Sequence, residues 1–230
     1  MKAAILAGGH GKRLRPITET IPKPLVEVAG KPILEWQMRW LKSCGVDSFV
    51  LMVGYLKEKV ISYIDSKKAE IGVEVEYSEE KEQLGTGGAL KNAEHLLKGE
   101  KEFFMLNGDN ITNIAVNRMR LEGSIASIAL VPLRSNYGIA RLEGRRIVRF
   151  DEKPILPEYW MNCGVYLMSR DIFKHLPKNG SLETVTFAEL SKAGALTGEK
   201  FESAYFKGVD SIKDMEEANA DLKARKIFVD

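Results

Sequence analysis

Cysteine is almost absent from this chain. Cys44 and Cys163 are its two thiols, far apart and in no C-x-x-C pair. A disulfide framework and a cysteine-built metal site are therefore both excluded, and a reducing cytoplasm is the expected setting. Long apolar runs are missing too: five apolar residues, Ala3–Ala7, separate the single Lys2 from Gly8. That is too short for a signal peptide, and no stretch approaches the roughly 20 residues of a membrane span, so no membrane partner is expected. Nor is there an excess of one charge. A formal net charge of +2 over 230 residues gives no broad basic field, which argues against nucleic acid as a partner. No internal repeat or low-complexity segment interrupts a length that suits one large α/β domain.

What is present starts at the first strand. Lys2–Leu6 runs into Ala7-Gly8-Gly9-His10-Gly11-Lys12-Arg13-Leu14-Arg15-Pro16, a short strand delivering three glycines and then three cations. Glycine lets backbone amides approach an anion closely, and the cations favour the same ligand, so polyphosphate is the candidate. Two well-known phosphate loops do not fit. The dinucleotide fingerprint would need glycine where Leu14 stands, and the P-loop would need Ser or Thr where Arg13 follows Gly11-Lys12.

The rest of the first half alternates buried strands with amphipathic helices, the sequence form of a parallel sheet covered on both faces. Leu34, Met38 and Leu41 recur at helical spacing before Gly45; Phe49–Val53 is a continuous apolar strand; residues 57–67 read as a helix, 73–77 as a strand, 88–97 as a helix and 103–106 as the fourth strand. Trp36, Met38 and Trp40 lie at core-like spacing, a core or dimer face, so a homo-oligomer is one expectation. After residue 123 short strands follow quickly, at 125–130, 138–142, 147–150 and 162–168, which suggests antiparallel hairpins added to the sheet. Helices return near 184–193 and 211–224. The fold class expected is α/β, a Rossmann-like, mixed but mostly parallel sheet flanked by helices. Ligands of such sheets sit beyond the carboxyl ends of the strands, where the glycine loop and the segment after the fourth strand both emerge.

In that second segment, Asn107-Gly108-Asp109-Asn110, Asp109 would be repelled by a bound polyphosphate unless a cation lay between them, which implies Mg2+. Taken together, Leu6-Ala7-Gly8-Gly9-His10-Gly11-Lys12-Arg13-Leu14-Arg15-Pro16, Thr18 and Pro22-Lys23-Pro24 resemble the signature of the sugar-phosphate nucleotidylyltransferases. That family writes it as LAGG-x-G-x-R-L-x-P-x-T followed by PKP. The resemblance covers essentially the whole chain and implies the nucleotide-diphospho-sugar transferase fold, with residues 1–122 forming a nucleotide-binding half and 123–230 a sugar-binding half. Since the chain ends soon after its last helix, the C-terminal β-helix of some relatives is not expected.

The resemblance also implies the site. Leu6, Ala7, Gly8, Gly9 and Gly11 would surround the nucleotide, with Ala7 and Gly8 at the base. Leu84-Gly85-Thr86-Gly87-Gly88-Ala89-Leu90 resembles the family's base-binding LGT-x-G-x-L, through Gln83 and Gly88. Asp109 matches the family's GD metal element. Asp210, between a strand and the last helix, is the second metal ligand implied, although the family's aromatic and glycine two residues to either side are here Gly208 and Ile212; the local alternative is that Asp210 or Ser211 caps that helix. Glu152-Lys153-Pro154 matches the EKP element, with Glu152 on the sugar hydroxyls and Lys153 on the sugar's phosphate. Gly138 and Asn162 match further sugar contacts, which Asn110 would join.

The implied reaction transfers a nucleoside monophosphate from an NTP to a sugar 1-phosphate and releases pyrophosphate. Arg13 would grip the pyrophosphate, Lys23 the α-phosphate region and Lys153 the attacking phosphate. LGTGGAL favours GTP with a mannose-type (mannose or heptose) sugar. Glucose-1-phosphate thymidylyl- or uridylyltransfer and a phosphocholine cytidylyltransferase-like activity stay open, as does a non-catalytic relative that senses nucleotide sugars.

Overall fold

The computed structural model describes residues 1–225. Its elements in chain order are β1 (Lys2–Ala7), the two-residue strands β2 (Glu27–Val28) and β3 (Lys31–Pro32), α1 (Ile33–Ser43), β4 (Ser48–Val53), α2 (Lys57–Ile71) and β5 (Glu74–Glu79). There follow α3 (Gly85–Asn92), α4 (Glu94–Leu97), β6 (Glu102–Asn107), β7 (Asn110–Thr112), β8 (Ala126–Arg134), β9 (Ile139–Glu143), β10 (Arg146–Asp151) and β11 (Ile155–Ser169). The chain then forms α5 (Ala188–Lys192) behind a π-helical turn at Leu182–Phe187, β12 (Leu196–Lys200), β13 (Phe206–Gly208) and α6 (Ile212–Arg225).

One seven-stranded sheet, in the order β12-β8-β11-β6-β1-β4-β5, organises the molecule. Strands β6, β1, β4 and β5 pair in parallel, and β12 is parallel to β8; β11 opposes both β6 and β8, so it alone runs against the others. This is the mixed, mostly parallel sheet the alternation foretold. Along β1 and β4 successive side chains enter opposite cores. Ala3, Ile5, Phe49 and Leu51 pack with α1 and α2, while Ala4, Val50 and Met52 pack with α3 and the 172–190 region. Burial on both faces is why these strands read as unbroken apolar runs. Trp36, Met38 and Trp40 are buried, the indole nitrogens donating to the carbonyls of Val28 and Ile114, so this cluster is core and not a dimer face.

Two features depart from the sequence reading. The hairpin β9–β10 forms a separate two-stranded sheet and does not extend the main one. Its residues are exposed on both faces, so the alternation that marks a half-buried strand carried no information about which sheet it joins. The short pair β7–β13 was also invisible, three residues in each strand being too few for a pattern. Positions 226–230 of the expected sugar-binding half lie outside the described residues.

The central register fixes the site. Leu6 of β1 pairs with Asn107 of β6, so the glycine loop and the Gly108-Asp109 turn leave the sheet side by side. They do so in very close contact: a Cβ at Gly108 would run into the carbonyl oxygen of Leu6. Gly108→Ala is therefore expected to cost about 3 kcal/mol or more, since the obstacle is backbone of a central strand and not a mobile side chain. Chemical denaturation checks this, and a wild-type midpoint would contradict it.

Candidate active site

Asp109 and Asp210, a hundred positions apart, are brought together by backbone. Gly208 pairs with Asn110 in β13–β7, and the Val209 N–H donates to the Asp109 carbonyl at 2.9 Å. Both carboxylates then converge on one ammonium. Lys23 Nζ lies 2.7 Å from Asp109 Oδ2 and 2.6 Å from Asp210 Oδ1, with only 12% of the lysine side chain exposed. Arg13 reaches the same Asp210 oxygen at 2.7 Å. Four residues from three parts of the chain thus form one charged cluster at the mouth of the sheet.

Asp210 does not cap the last helix. Ser211 Oγ accepts from the Asp214 N–H at 3.2 Å, and Asp214 Oδ2 accepts from Ser211 N–H at 2.9 Å, a reciprocal capping box. That leaves the Asp210 carboxylate for the cluster. Two carboxylates already sharing one cationic atom are a donor set that fits a divalent ion, which would take phosphate oxygens and water as its other ligands. Among the described residues no group of three or more His, Cys, Asp or Glu side chains could hold a metal unaided.

A cavity of about 220 Å³ opens beside the cluster. Leu6, Gly8, Gly9, Lys23, Gln83 and Asp109 line it, together with Pro24, Glu80, Gly85, Thr86, Ala89, Asn107 and Gly108. Ala7, Gly11 and Gly88 lie outside the lining. Ala7 is buried in β1, and the Gly11 carbonyl accepts from Thr18 Oγ1 at 2.8 Å. Gly88 faces the backbone of Lys178 and Asn179. The N–H groups of Gly87 and Gly88, at the start of α3, both point to the Gly180 carbonyl, at 2.9 and 3.3 Å. These glycines admit a neighbouring segment, and the start of α3 does not offer these amides to a ligand.

The residues read as sugar contacts fall into two places. Gly138, Glu152 and Lys153 gather at the β9–β10 hairpin, where Glu152 Oε2 and the Phe150 ring fill the space that a Cβ on Gly138 would need. Lys153 is held at φ +48°, a left-handed conformation that costs energy for a residue with a Cβ. Asn162 Oδ1 accepts from Gly164 N–H at 2.8 Å, and its amide donates to the Tyr166 hydroxyl at 3.0 Å. Asn110 is buried, its amide donating to the Cys163 carbonyl at 2.8 Å, so it ties β7 to β11. Burial pushes the Cys163 thiol up to about 12, which leaves no thiolate nucleophile beside it. Among the described residues no hydrogen bond or ion pair joins the hairpin group to the Lys23 cluster.

Two contributors escaped the sequence reading. Gln37, buried in α1, donates its amide to the carbonyls of both Asn107 and Asn110, at 2.8 and 2.9 Å, and so clamps the turn carrying Asp109 from both sides. A polar residue within the apolar pattern of that helix was its one signal. Glu80 is the other. Its carboxylate lies against Gly8, accepts from Leu84 N–H at 3.1 Å, and has its pKa raised by burial. His10 lies against Tyr55, the rings tilted by 35° with centroids 4.5 Å apart.

Fold and site together define an α/β protein of the nucleotide-binding class, with its charged cluster beyond the carboxyl ends of parallel strands. The chain belongs to the nucleotidyl transferase family, whose profile matches residues 2–224. It is 38% identical over 208 residues to the mannose-1-phosphate guanylyltransferase catalytic subunit beta of Danio rerio, a match covering 85% of this chain and 58% of that protein. It is 36% identical over 176 residues to the D-glycero-alpha-D-manno-heptose 1-phosphate guanylyltransferase of Campylobacter jejuni, covering 75% of this chain and 78% of the relative. Among solved structures, HddC from Yersinia pseudotuberculosis superposes with a TM-score of 0.76 at 27% identity, over 96% of this chain and 99% of that one, and has also been solved complexed with GMP-PN. The chain spans less than two thirds of the Danio rerio protein, 58% of its length.

Gln37→Leu should keep the helix and its volume while depriving two carbonyls of their donor. We expect a loss of about 1–3 kcal/mol and faster hydrogen exchange at residues 108–110, measured by mass spectrometry. Unchanged exchange there would show that Gln37 does not hold the Asp109 turn.

Proposed function

We propose that this chain transfers a guanylyl group from GTP to a mannose-type sugar 1-phosphate, mannose or heptose, giving a GDP-sugar and pyrophosphate. The observation that carries the transfer reaction is the convergence of Arg13, Lys23, Asp109 and Asp210 beside a cavity walled by the glycine loop. The choice of GTP and sugar is supported by the guanylyltransferases to which the chain is similar and by the GMP-PN complex of HddC.

In this reading an oxygen of the sugar phosphate attacks the α-phosphorus of GTP. The bond from that phosphorus to the bridging oxygen breaks, and pyrophosphate leaves with the electron pair. The nucleophile is already an anion, so a general base would contribute little, and alignment with charge neutralisation carries the rate. Asp109 and Asp210 would hold a magnesium ion, which would supply positive charge to the phosphate oxygens. The Lys23 ammonium, at the cavity wall, neutralises the α-phosphate. Arg13, mostly exposed, reaches the leaving pyrophosphate. Lys153 holds the attacking phosphate, and Glu152, Gly138 and Asn162 the sugar, with the β9–β10 hairpin bringing the acceptor side to the cavity. The division into a nucleotide half up to about residue 122 and a sugar half after it belongs to this reading, as does a cytoplasmic setting with no nucleic-acid or membrane partner. No helix among the described residues is long and apolar enough to cross a membrane.

Pyrophosphate release with Mg2+ across GTP, dTTP, UTP, CTP and ATP against mannose-, heptose-, glucose- and N-acetylglucosamine-1-phosphate and phosphocholine tests this directly. GTP with a mannose-type phosphate is expected to give the highest rate. Removing a charge-stabilising group by Asp109→Ala or Lys153→Ala should lower that rate roughly a hundredfold or more with folding retained. Near-native turnover in both folded variants would defeat the site assignment.

A further inference from the structure

Asn162 is exposed, yet both ends of its amide are held from inside the protein. Oδ1 accepts from the Gly164 N–H at 2.8 Å, and Nδ2 donates to the Tyr166 hydroxyl at 3.0 Å. The Gly164 N–H can only donate, so the amide has one orientation that satisfies both partners. In a regular strand, side chains four residues apart are rooted about 13 Å from each other. A bend closes that gap: the β11–β8 register shifts between Asn162 and Tyr166, and Gly164 stands at φ +68°. A Cβ at Gly164 would run into the amides of Asn107 and Asn110, so the bend requires glycine. Cys163, in the same bend, gives its carbonyl to the Asn110 amide, which seats this piece of β11 on the turn that carries Asp109. Tyr166 is the fixed end. Its side chain is fully buried, with its ring edge-on to Phe187 and the centroids 5.0 Å apart.

The geometry points to Tyr166 as a positioning residue for the sugar phosphate, acting through Asn162. Held at two points, the Asn162 amide is fixed, and it keeps one N–H and one Oδ1 lone pair for a neighbouring ligand. A donor beside an acceptor matches a pair of sugar hydroxyls, because each hydroxyl can take either part. An exposed asparagine without this hold would lose rotamer freedom on engaging the sugar. The buried hydroxyl sets that order in advance, which favours binding. Neither residue lines the cavity beside Lys23 and Asp109, so the effect falls on the acceptor and not on the nucleotide. This assignment rests on the proposed function, with Asn162 on the sugar.

Tyr166→Phe removes the hydroxyl and keeps the ring. Steady-state pyrophosphate release by the full chain, with GTP, Mg2+ and mannose or heptose 1-phosphate, whichever wild type uses faster, tests the assignment. KM for the sugar phosphate should rise roughly five- to tenfold, the worth of one neutral hydrogen bond, while KM for GTP stays as in wild type. In an Asn162→Ala background the same substitution should change neither, since Tyr166 acts only through that amide. Three results would overturn the role of Tyr166 and leave the proposed reaction standing: a folded Tyr166→Phe variant with wild-type KM for the sugar phosphate, KM values that rise together for both substrates, or effects of the two substitutions that simply add. Wild-type protein that uses neither sugar phosphate would overturn the proposed function, and this assignment with it. If the variant does not fold, NMR of the wild-type Asn162 side-chain amide decides. An order parameter near that of rigid backbone, about 0.85, is expected, and one below about 0.6 would remove the hold on which the role depends.

Discussion

One ammonium held by two carboxylates sets the terms for everything around it. Lys23 sits within 2.7 Å of both Asp109 and Asp210. Without a shared cation the two acids would repel each other at the point where β7 meets β13, so positive charge at this spot is a structural requirement before it is a catalytic one. A ligand that draws Lys23 away leaves Arg13 on Asp210 but takes from Asp109 its ion-pair partner, so a replacement positive charge beside Asp109 is favoured. On the proposed function, nucleotide and a divalent ion would enter together, because the charge that Lys23 supplies to the two acids would have to be replaced.

How far this was visible in the sequence depends on the range of the interaction. Glycine loop, central strands and Asp109 turn were legible because each is a contiguous motif, and because parallel pairing of buried strands sends all their carboxyl ends to one side. The fold class followed from the same alternation. Asp210 was legible only by resemblance: its flanking residues depart from the family form, and the pairing that carries it to Asp109 spans three residues per strand, too short for any periodicity to reveal. Gln37 and Glu80 were hidden for a different reason. Their roles depend on partners seventy or more residues away or across a strand crossing, Gln37 on Asn107 and Asn110, Glu80 on Gly8, and nothing local marks them.

The glycines of residues 85–88 show how one motif can serve a need other than the one it suggests. By resemblance, Gly85-Thr86-Gly87-Gly88 reads as part of a base-binding segment. In the fold, Gly87 and Gly88 give their N–H groups to Gly180, while Thr86 donates to Glu183 at 2.8 Å and accepts from the Leu182 N–H at 2.8 Å. The start of α3 is thereby fastened to the segment leading into the π-helical turn. Only Gly85 and Thr86 remain on the cavity wall. Small residues here bring in a second strip of chain from the far half, and that strip stiffens the wall on which a base would rest.

This arrangement separates two functions that a nucleotide site has to combine. The charged cluster belongs to β1, β6 and the β7–β13 pair, at the centre of the sheet. The wall that would face the base belongs to the end of β5 and the start of α3, with Glu80 lying against Gly8 of the glycine loop. Substitutions along 79–86 can alter the hydrogen-bonding edge offered to a base without moving Lys23, Asp109 or Asp210, because the backbone pairings that fix those three lie elsewhere. On the proposed function, phosphate chemistry would be tied to the sheet core, where change is costly, and base contact to an edge segment, where it is cheap. A family whose members differ in nucleotide while sharing one fold is what such a division of labour would allow.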